Sequence, residues 1–313
     1  MSALAVVNPR SGGGRTRRDW KAIEAGLRQI YPVLTVTPTR KRGDATEITR
    51  TALREGFGEI IAVGGDGTIN ETVNGFFDAS GEPIAPEAVF AFVTNGTGGD
   101  FRKSFGIAPG ADAGIARLKE GKIRAVDLGR VSCLSRRGEP VIRHFINIGS
   151  FGLSGAVVDS VNRARLAKLF GGSFAFAFHS LLDMLTYRNR TVRVRIDGAF
   201  DEIVTISTVA VANGQYFGGG MMVAPNAKVD DGLFDVILMG GTSRGRSMAD
   251  MKQIYTGEHL NNPSVTALRG AKLVAVPVAE TGGRPVLIEV DGESAGRLPA
   301  TFEILPRAFN LRC

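Results

Sequence analysis

Residues 59–75 read EIIAVGGDGTINETVNG, and the fold turns on what this stretch forms. Its first part, residues 59–65, is a short apolar run of the length of a buried strand. Its second part, continuing to residue 78, has the spacing of a helix. Between them stand Gly64, Gly65, Asp66, Gly67 and Thr68, with Thr68 in position to cap a helix over 69–78. A strand that turns through glycines directly into a helix is one half of a βαβ unit.

The same unit recurs on both sides. Upstream, residues 3–8 (ALAVVN) predict a buried strand that ends in Asn8-Pro9-Arg10-Ser11-Gly12-Gly13-Gly14, followed by a helix from about Thr16 to Tyr31. A strand LTVT and a helix DATEITRTALREG come next. Downstream, the strand AVFAFVT at 88–94 leads into Asn95-Gly96-Thr97-Gly98-Gly99-Asp100. Each of the three glycine turns follows a strand, and in an open parallel sheet ligands bind beyond the strands' carboxyl ends. Glycine lets backbone N–H groups approach a phosphate there, and the next helix adds its positive end. One such turn is commonly just a connection; three at one sheet edge predict a phosphate site.

Near Arg124 the pattern changes to strands in series, among them AVDLGRVSCL, VIRHFINIG, TVRVRID, IVTISTVAVAN, LFDVILM and TFEIL. The expected fold class is therefore a two-domain α/β plus all-β chain. Residues 1–124 form an open α/β domain, and 125–313 form an antiparallel, β-sandwich-like domain whose C-terminal part returns to the first. An apolar helix is expected at 173–188.

Glycine supplies 41 of 313 residues, the net charge is +7 and the sequence pI is about 9.7. A hydrophobic share of 43% excludes a disordered chain. The basic balance suits anionic partners. With 7% aromatics and one Trp, stacking on single-stranded nucleic acid is not favoured, and no nucleic-acid partner is expected. Cys133 and Cys313 have no paired spacing and are expected as free thiols in a reducing cytoplasm. The opening residues look like a first strand rather than a signal peptide, and no stretch is long and apolar enough to span a membrane. His144, His179 and His259 form no ligand cluster and are assigned no chemistry.

There is no Walker A sequence, and the first turn lacks G-x-G-x-x-G. The ordered set NPRSGGG, TRKRGDA, VGGDGTINETVNG and NGTGGDF instead resembles the catalytic domain of the diacylglycerol kinase family, which includes bacterial lipid kinases and the sphingosine and ceramide kinases. The likeness continues through FINIGSFGLSG, VANGQYFGGGMMVAPNAKVDDGLFDVILM and EVDGE, from about residue 4 to about 305. It implies an ATP- and Mg²⁺-dependent lipid kinase acting on a primary hydroxyl of a diacylglycerol-like or sphingoid lipid. It also implies an ATP site at Asn8, Pro9, Arg10, Ser11 and Gly12, at Thr39, at Gly64, Gly65, Asp66, Gly67, Thr68, Ile69 and Asn70, and at Thr97. Asp66 is expected to face the phosphates or their Mg²⁺, or else to cap a turn. The third turn departs from the family's P-x-G-T-x-N-D-F, because Thr94 and Gly99 replace the usual Pro and second Asn. Contacts which that amide would make near Asp100 are thereby put in doubt.

Asp291-Gly292-Glu293 lies between two expected strands and is, as Asp-Gly, a strong hairpin signal. The resemblance makes it also the segment of the general base, Glu293 or Asp291, with Glu293 favoured for reach. A structural Mg²⁺ is likewise implied, held by the carbonyls of Lys228 and Leu233 and the carboxylate of Asp231. The apolar residues of 169–187, such as Phe174, Phe178 and Leu182, suit core packing or a lipid pocket. Arg163, Arg165, Lys168, Arg188 and Arg190 around them suit peripheral, salt-sensitive contact with an anionic membrane from its cytoplasmic side. A homodimer is left open by the resemblance. Two rival readings are a kinase of a soluble substrate like the NAD kinases, which share GGDG, and a non-catalytic nucleotide- or lipid-binding regulator.

Overall fold

The computed structural model describes residues 2–95, 99–168, 187–240, 253–278 and 285–313, the side chains of 162–168 excepted. Strands β1 (Ala3–Val7), β2 (Leu34–Pro38), β3 (Glu59–Gly64) and β4 (Val89–Thr94) pair in parallel in the order β2-β1-β3-β4. Every residue of β1, β3 and β4 is buried. Their near-continuous apolar sequence follows from helices covering both faces of the sheet. Helices α1 (Ser11–Ile30) and α5 (Ala111–Glu120) pack Ile23, Leu27 and Leu118 on one face. On the other, α2 (Asp44–Arg54) and α3 (Asp66–Gly75) bring Leu53, Ile69 and Val73 against Val6, Ile60 and Phe90.

Two helix starts differ from expectation. The helix after β3 begins at Asp66 rather than 69, because the N–H groups of Thr68 and Ile69 both donate to Gly65 O, at 2.9 and 3.1 Å. Thr68 therefore sits inside the first turn and is not its cap. After β1, the helix is entered through Gly12, Gly13 and Gly14, all left-handed with φ of 59°, 68° and 86°. Only glycine adopts three such conformations in succession cheaply.

The second half is built from β5 (Ile123–Leu134), β6 (Pro140–Phe145), β7 (Ile148–Gly152), β8 (Arg190–Ile196) and β9 (Phe200–Ala212). After a small hairpin of β10 (Tyr216–Phe217) and β11 (Met221–Met222) come β12 (Phe234–Gly240), β13 (Val265–Gly270), β14 (Lys272–Pro277), β15 (Leu287–Val290) and β16 (Glu293–Arg312). Antiparallel pairing runs β9-β7-β15-β16-β14-β8 and back to β9, so six strands close on themselves around Phe151, Val194, Leu273, Ile288 and Phe302. Closure gives the sandwich-like half two layers without an open edge in that ring. The expected strand VIRHFINIG is two strands, broken at Ile146 and Asn147. Strand β13 escaped the sequence reading. The expected helix at 173–188 lies outside the described residues, apart from its last two positions, which are not helical.

The two halves share one sheet of 14 strands among the described residues. Its seam is β16, which starts in the closed ring and ends parallel to β4, with Asn310 and Leu311 beside Val89 and Phe90. Phe309 and Leu311 join Val126 and Leu128 of β5 in the core beneath the first sheet. Arg312 completes the seam with two bonds to Glu59, 2.6 and 2.9 Å long, and Tyr31 donates to the same carboxylate at 2.6 Å. No described helix is long and apolar enough to cross a membrane. Both cysteines are free and buried.

Glu59 is 2% exposed, so its cation matters. Arg312→Met leaves a buried charge unpaired and should cost about 3 kcal/mol in urea unfolding. Adding Glu59→Met should recover part of that loss, and a double variant as weak as the sum of both singles would contradict the pairing.

Candidate active site between the two halves

The glycine turns are tied to one another at the carboxyl edge of the parallel sheet. Asn8 Nδ2 donates to Thr68 Oγ1 at 3.0 Å, and the Asn95 amide donates to Gly64 O at 3.0 Å. A side chain at Gly64 would meet Thr68 Oγ1 at 2.5 Å, so this glycine is required for close approach. Asp66 opens α3, and its Oδ2 accepts the Gly99 N–H at 2.8 Å, linking the second turn to the third. Its other oxygen, Oδ1, is buried and makes no hydrogen bond among the described residues. Burial raises the Asp66 pKa, against the pull of the Gly99 amide.

Gly99, where the family pattern has Asn, supplies that N–H from a left-handed backbone with φ of 75°. Asp100 does not lose its partners: Oδ2 accepts Gly219 N–H at 2.7 Å and Oδ1 accepts Lys103 Nζ at 3.2 Å. Among the other nucleotide candidates, Thr39 is half-buried and donates its N–H to Val7 O at 2.8 Å, which places it at the same sheet edge. Pro9 is half-buried and Arg10 exposed beside it, while Ser11 Oγ bonds to Asn8 O and Thr16 Oγ1. The Ile69 side chain lies in the core, leaving only its backbone for a ligand. Thr97 lies outside the described residues.

From the opposite side, the turn between β15 and β16 reaches over α3. Asp291 and Gly292 both have positive φ, 49° and 80°, and Val290 pairs with Glu293 across them. The hairpin expected from Asp-Gly is thus present. Asp291 is enclosed: Oδ1 accepts the N–H groups of Asn147 and Ile148 at 3.1 and 3.0 Å, and Oδ2 accepts Ile146 N–H and Asn70 Nδ2, both at 3.0 Å. Those amides come from the break between β6 and β7. Burial pushes Asp291 up to about 6 while the four donors oppose it, and four N–H groups around its oxygens suit the carboxylate form. With both oxygens engaged, Asp291 fixes the hairpin to α3 and has no lone pair to offer a substrate.

Glu293 is the hairpin carboxylate that reaches the turns. A Cβ at Gly67 would lie 2.9 Å from its Oε1, so the carboxylate end rests directly over this glycine at the start of α3. Its other oxygen is paired with Arg42, which stands before α2. Glu289, one strand position inside, accepts Ser150 Oγ and the Gly292 N–H, and burial pushes it up to about 7. A cavity of about 300 Å³ opens beside Glu293, lined among others by Arg42, Asn70, Glu71, Arg143 and His144.

Several contributors were not singled out from the sequence. Glu71 accepts the N–H groups of Gly43 and Ala45 and so holds the start of α2. Asn74 pairs with the backbone of His144 in both directions, at 2.9 Å each. The signal was present: Asp66, Asn70 and Asn74 recur every four residues and therefore line one face of α3. His144 stacks on Phe77 with centroids 3.7 Å apart, and burial pushes its pKa down to about 3.

Two metal expectations are tested by these contacts. At the turns, the orphaned Oδ1 of Asp66 fits a hard cation held with phosphates. At the 228–233 turn the donor set does not fit one. The Asp231 carboxylate already accepts Leu233 N–H on Oδ1 at 3.2 Å and is paired with Arg269 on Oδ2. Lys228 and Leu233 flank it as expected, but the single carboxylate is taken.

Asp291→Ala should strand three buried N–H groups and cost about 3 kcal/mol or more in unfolding free energy, whereas Glu293→Gln should leave stability within about 0.5 kcal/mol of wild type. Equal losses would refute the division of labour. For Glu289 the folded pKa is raised, so its stability contribution is present below the unfolded carboxylate range and lost as pH rises through about 7. The melting temperature should fall between pH 5 and pH 8 on this account, and Glu289→Gln should flatten the profile; an unchanged slope would exclude Glu289 as its source.

Comparison with known proteins agrees with this two-part fold. Residues 2–131 match the model of the diacylglycerol kinase catalytic domain, and residues 147–313 match that of the YegS C-terminal NAD kinase beta sandwich-like domain. A diacylglycerol kinase from Staphylococcus carnosus is 28% identical over 305 residues, covering 96% of this chain and 91% of that one. The crystal structure of a diacylglycerol kinase from Bacillus anthracis superposes with a TM-score of 0.72 at 23% identity, covering 99% of this chain and 96% of the other. Yeast NADH kinase shares the fold at a TM-score of 0.53 and 13% identity, over 100% of this chain and 83% of its own. The chain belongs to the diacylglycerol kinase family, with the α/β catalytic domain followed by the β-rich YegS-type domain, and is a lipid kinase.

Proposed function

We propose that this lipid kinase uses ATP and Mg²⁺ to phosphorylate a primary hydroxyl of a diacylglycerol-like or sphingoid lipid, with Glu293 as general base. The observation that carries it is the Glu293 carboxylate lying over Gly67, where the phosphate turns meet the cleft. The backbone amides of Gly12 and Gly13 and the start of α3 offer donors to a triphosphate. Asp66 Oδ1 would hold Mg²⁺, which supplies charge neutralisation at the phosphates.

The lipid hydroxyl gives its proton to a Glu293 oxygen as its own oxygen bonds to the γ-phosphorus, and the bond to the β-phosphate oxygen breaks to release ADP. Arg42 pairs with Oε2 of Glu293 and leaves Oε1 on the side of Gly67. Asp291 and Asn70 are positioning residues that set the hairpin's height above α3. The names of the relatives favour diacylglycerol among lipid acceptors. Peripheral contact with the inner face of an anionic membrane would bring the acceptor within reach. Exposed Arg188 is available for it, while Arg190 lies over the Tyr187 ring at 5.8 Å.

Purified chain with labelled Mg-ATP should phosphorylate one member of a panel of diacylglycerol, sphingoid base, ceramide and phosphatidylglycerol. Glu293→Gln should lower kcat about 100-fold or more without weakening ATP binding. Labelling of NAD in place of every lipid would favour the soluble-substrate kinase, and ATP binding without turnover on any acceptor would favour a regulator.

A further inference from the structure

Asp231 and Asp235 lie four residues apart around the turn into β12, and a single cation reaches both. Arg269 of β13 stands directly opposite Asp235 in the antiparallel register. Its Nη2 pairs with Asp231 Oδ2, and its Nε lies 3.5 Å from Asp235 Oδ2. Directly opposed residues on antiparallel strands have neighbouring side chains, so the ladder itself delivers the guanidinium to this place. The Asp235 side chain is only 9% exposed and its Oδ2 makes no hydrogen bond among the described residues, so the Arg269 guanidinium at 3.5 Å is an ion-pair contact that offsets its burial.

The rest of the turn is held by protein groups as well. Gly232 N–H donates to Asp127 Oδ2 at 2.6 Å, Asp127 N–H donates to Val229 O at 2.7 Å, and Arg124 pairs with Asp230 at 3.0 Å. Asp127 is fully buried and also accepts Arg307 N–H at 2.7 Å. A Mg²⁺ ion demands a near-octahedral shell of oxygens and gives up its water reluctantly. Here it would have to displace a planar guanidinium from two carboxylates, a partner whose donors are already fixed in direction.

We infer that Arg269 takes the place of the divalent cation implied by the family at this turn, so that the 228–235 segment is held by a built-in positive charge. The β-rich half is then stable without divalent metal, and the metal requirement of the protein is confined to the nucleotide site.

The test is thermal unfolding of the full chain without nucleotide, first in EDTA and then with millimolar MgCl₂ or CaCl₂. Wild type should melt at the same temperature in all three, within about 1 °C, a small fraction of the shift expected from losing one ion pair. Arg269→Gln should melt several degrees lower in EDTA and recover with either cation, and Asp231→Asn added to it should abolish the recovery. The inference is overturned if wild type gains stability from a cation and loses that gain with Asp231→Asn. It is equally overturned if Arg269→Gln in EDTA melts like wild type. A cation response in wild type that survives Asp231→Asn arises elsewhere and counts with no response at this turn. Should Arg269→Gln fail to fold, wild type and Asp231→Asn alone decide the matter.

Discussion

A carboxylate removed from water and surrounded by four donors joins the halves of this molecule. Asp291 belongs to the β15–β16 turn, three of its partners are the backbone amides between β6 and β7, and the fourth is the Asn70 amide of α3. Taking a carboxylate out of water is expensive, and only a full set of well-aligned donors compensates it. The geometry is therefore restrictive. If α3 moves, Asn70 leaves; if the break at Ile146 and Asn147 heals into a continuous strand, the amides turn away. The height of Glu293 over Gly67 is set by this one cluster, because only Gly292 separates the two side chains.

Much of this was legible from residue order. Glycine turns after strands marked the carboxyl edge of the parallel sheet, where the structure ties them together, and Asp-Gly between apolar runs placed a hairpin, which the structure has. What the sequence did not separate was the work of Asp291 from that of Glu293. Two carboxylates one residue apart look interchangeable on paper, while a left-handed turn sends one inward to backbone amides and the other outward to the cleft. The break in VIRHFINIG was equally hidden, since an apolar run carries no mark of where its amides will be diverted to a side chain. The start of α3 was placed one turn late for a related reason. Thr68 has the chemistry of a cap, but Gly65 already accepts the first helical N–H groups and Thr68 faces Asn8 instead.

Glycine serves two different physical ends here. At Gly12–Gly14 and Gly99 it supplies backbone conformations that other residues resist. At Gly129, Gly149 and Gly155 it makes room: the Phe145 ring, the Phe302 ring and the Leu287 carbonyl stand where a Cβ would be. The second group lies in the β-rich half, away from the phosphate turns, so a glycine-rich composition marks dense packing as much as a binding edge.

The path of β16 also bears on how the chain reaches this state. The first sheet is finished only when Asn310 and Leu311 settle beside β4, and β16 is synthesised after every other described strand. While the ribosome is still producing the β-rich half, β4 presents an open, apolar edge of the kind that recruits other chains. The catalytic domain emerges first yet closes last, a long-range pairing of the sort that slows folding. Until β16 settles beside it, β4 has only β3 as a strand partner among the described residues, so the β16 pairing is what caps this apolar edge.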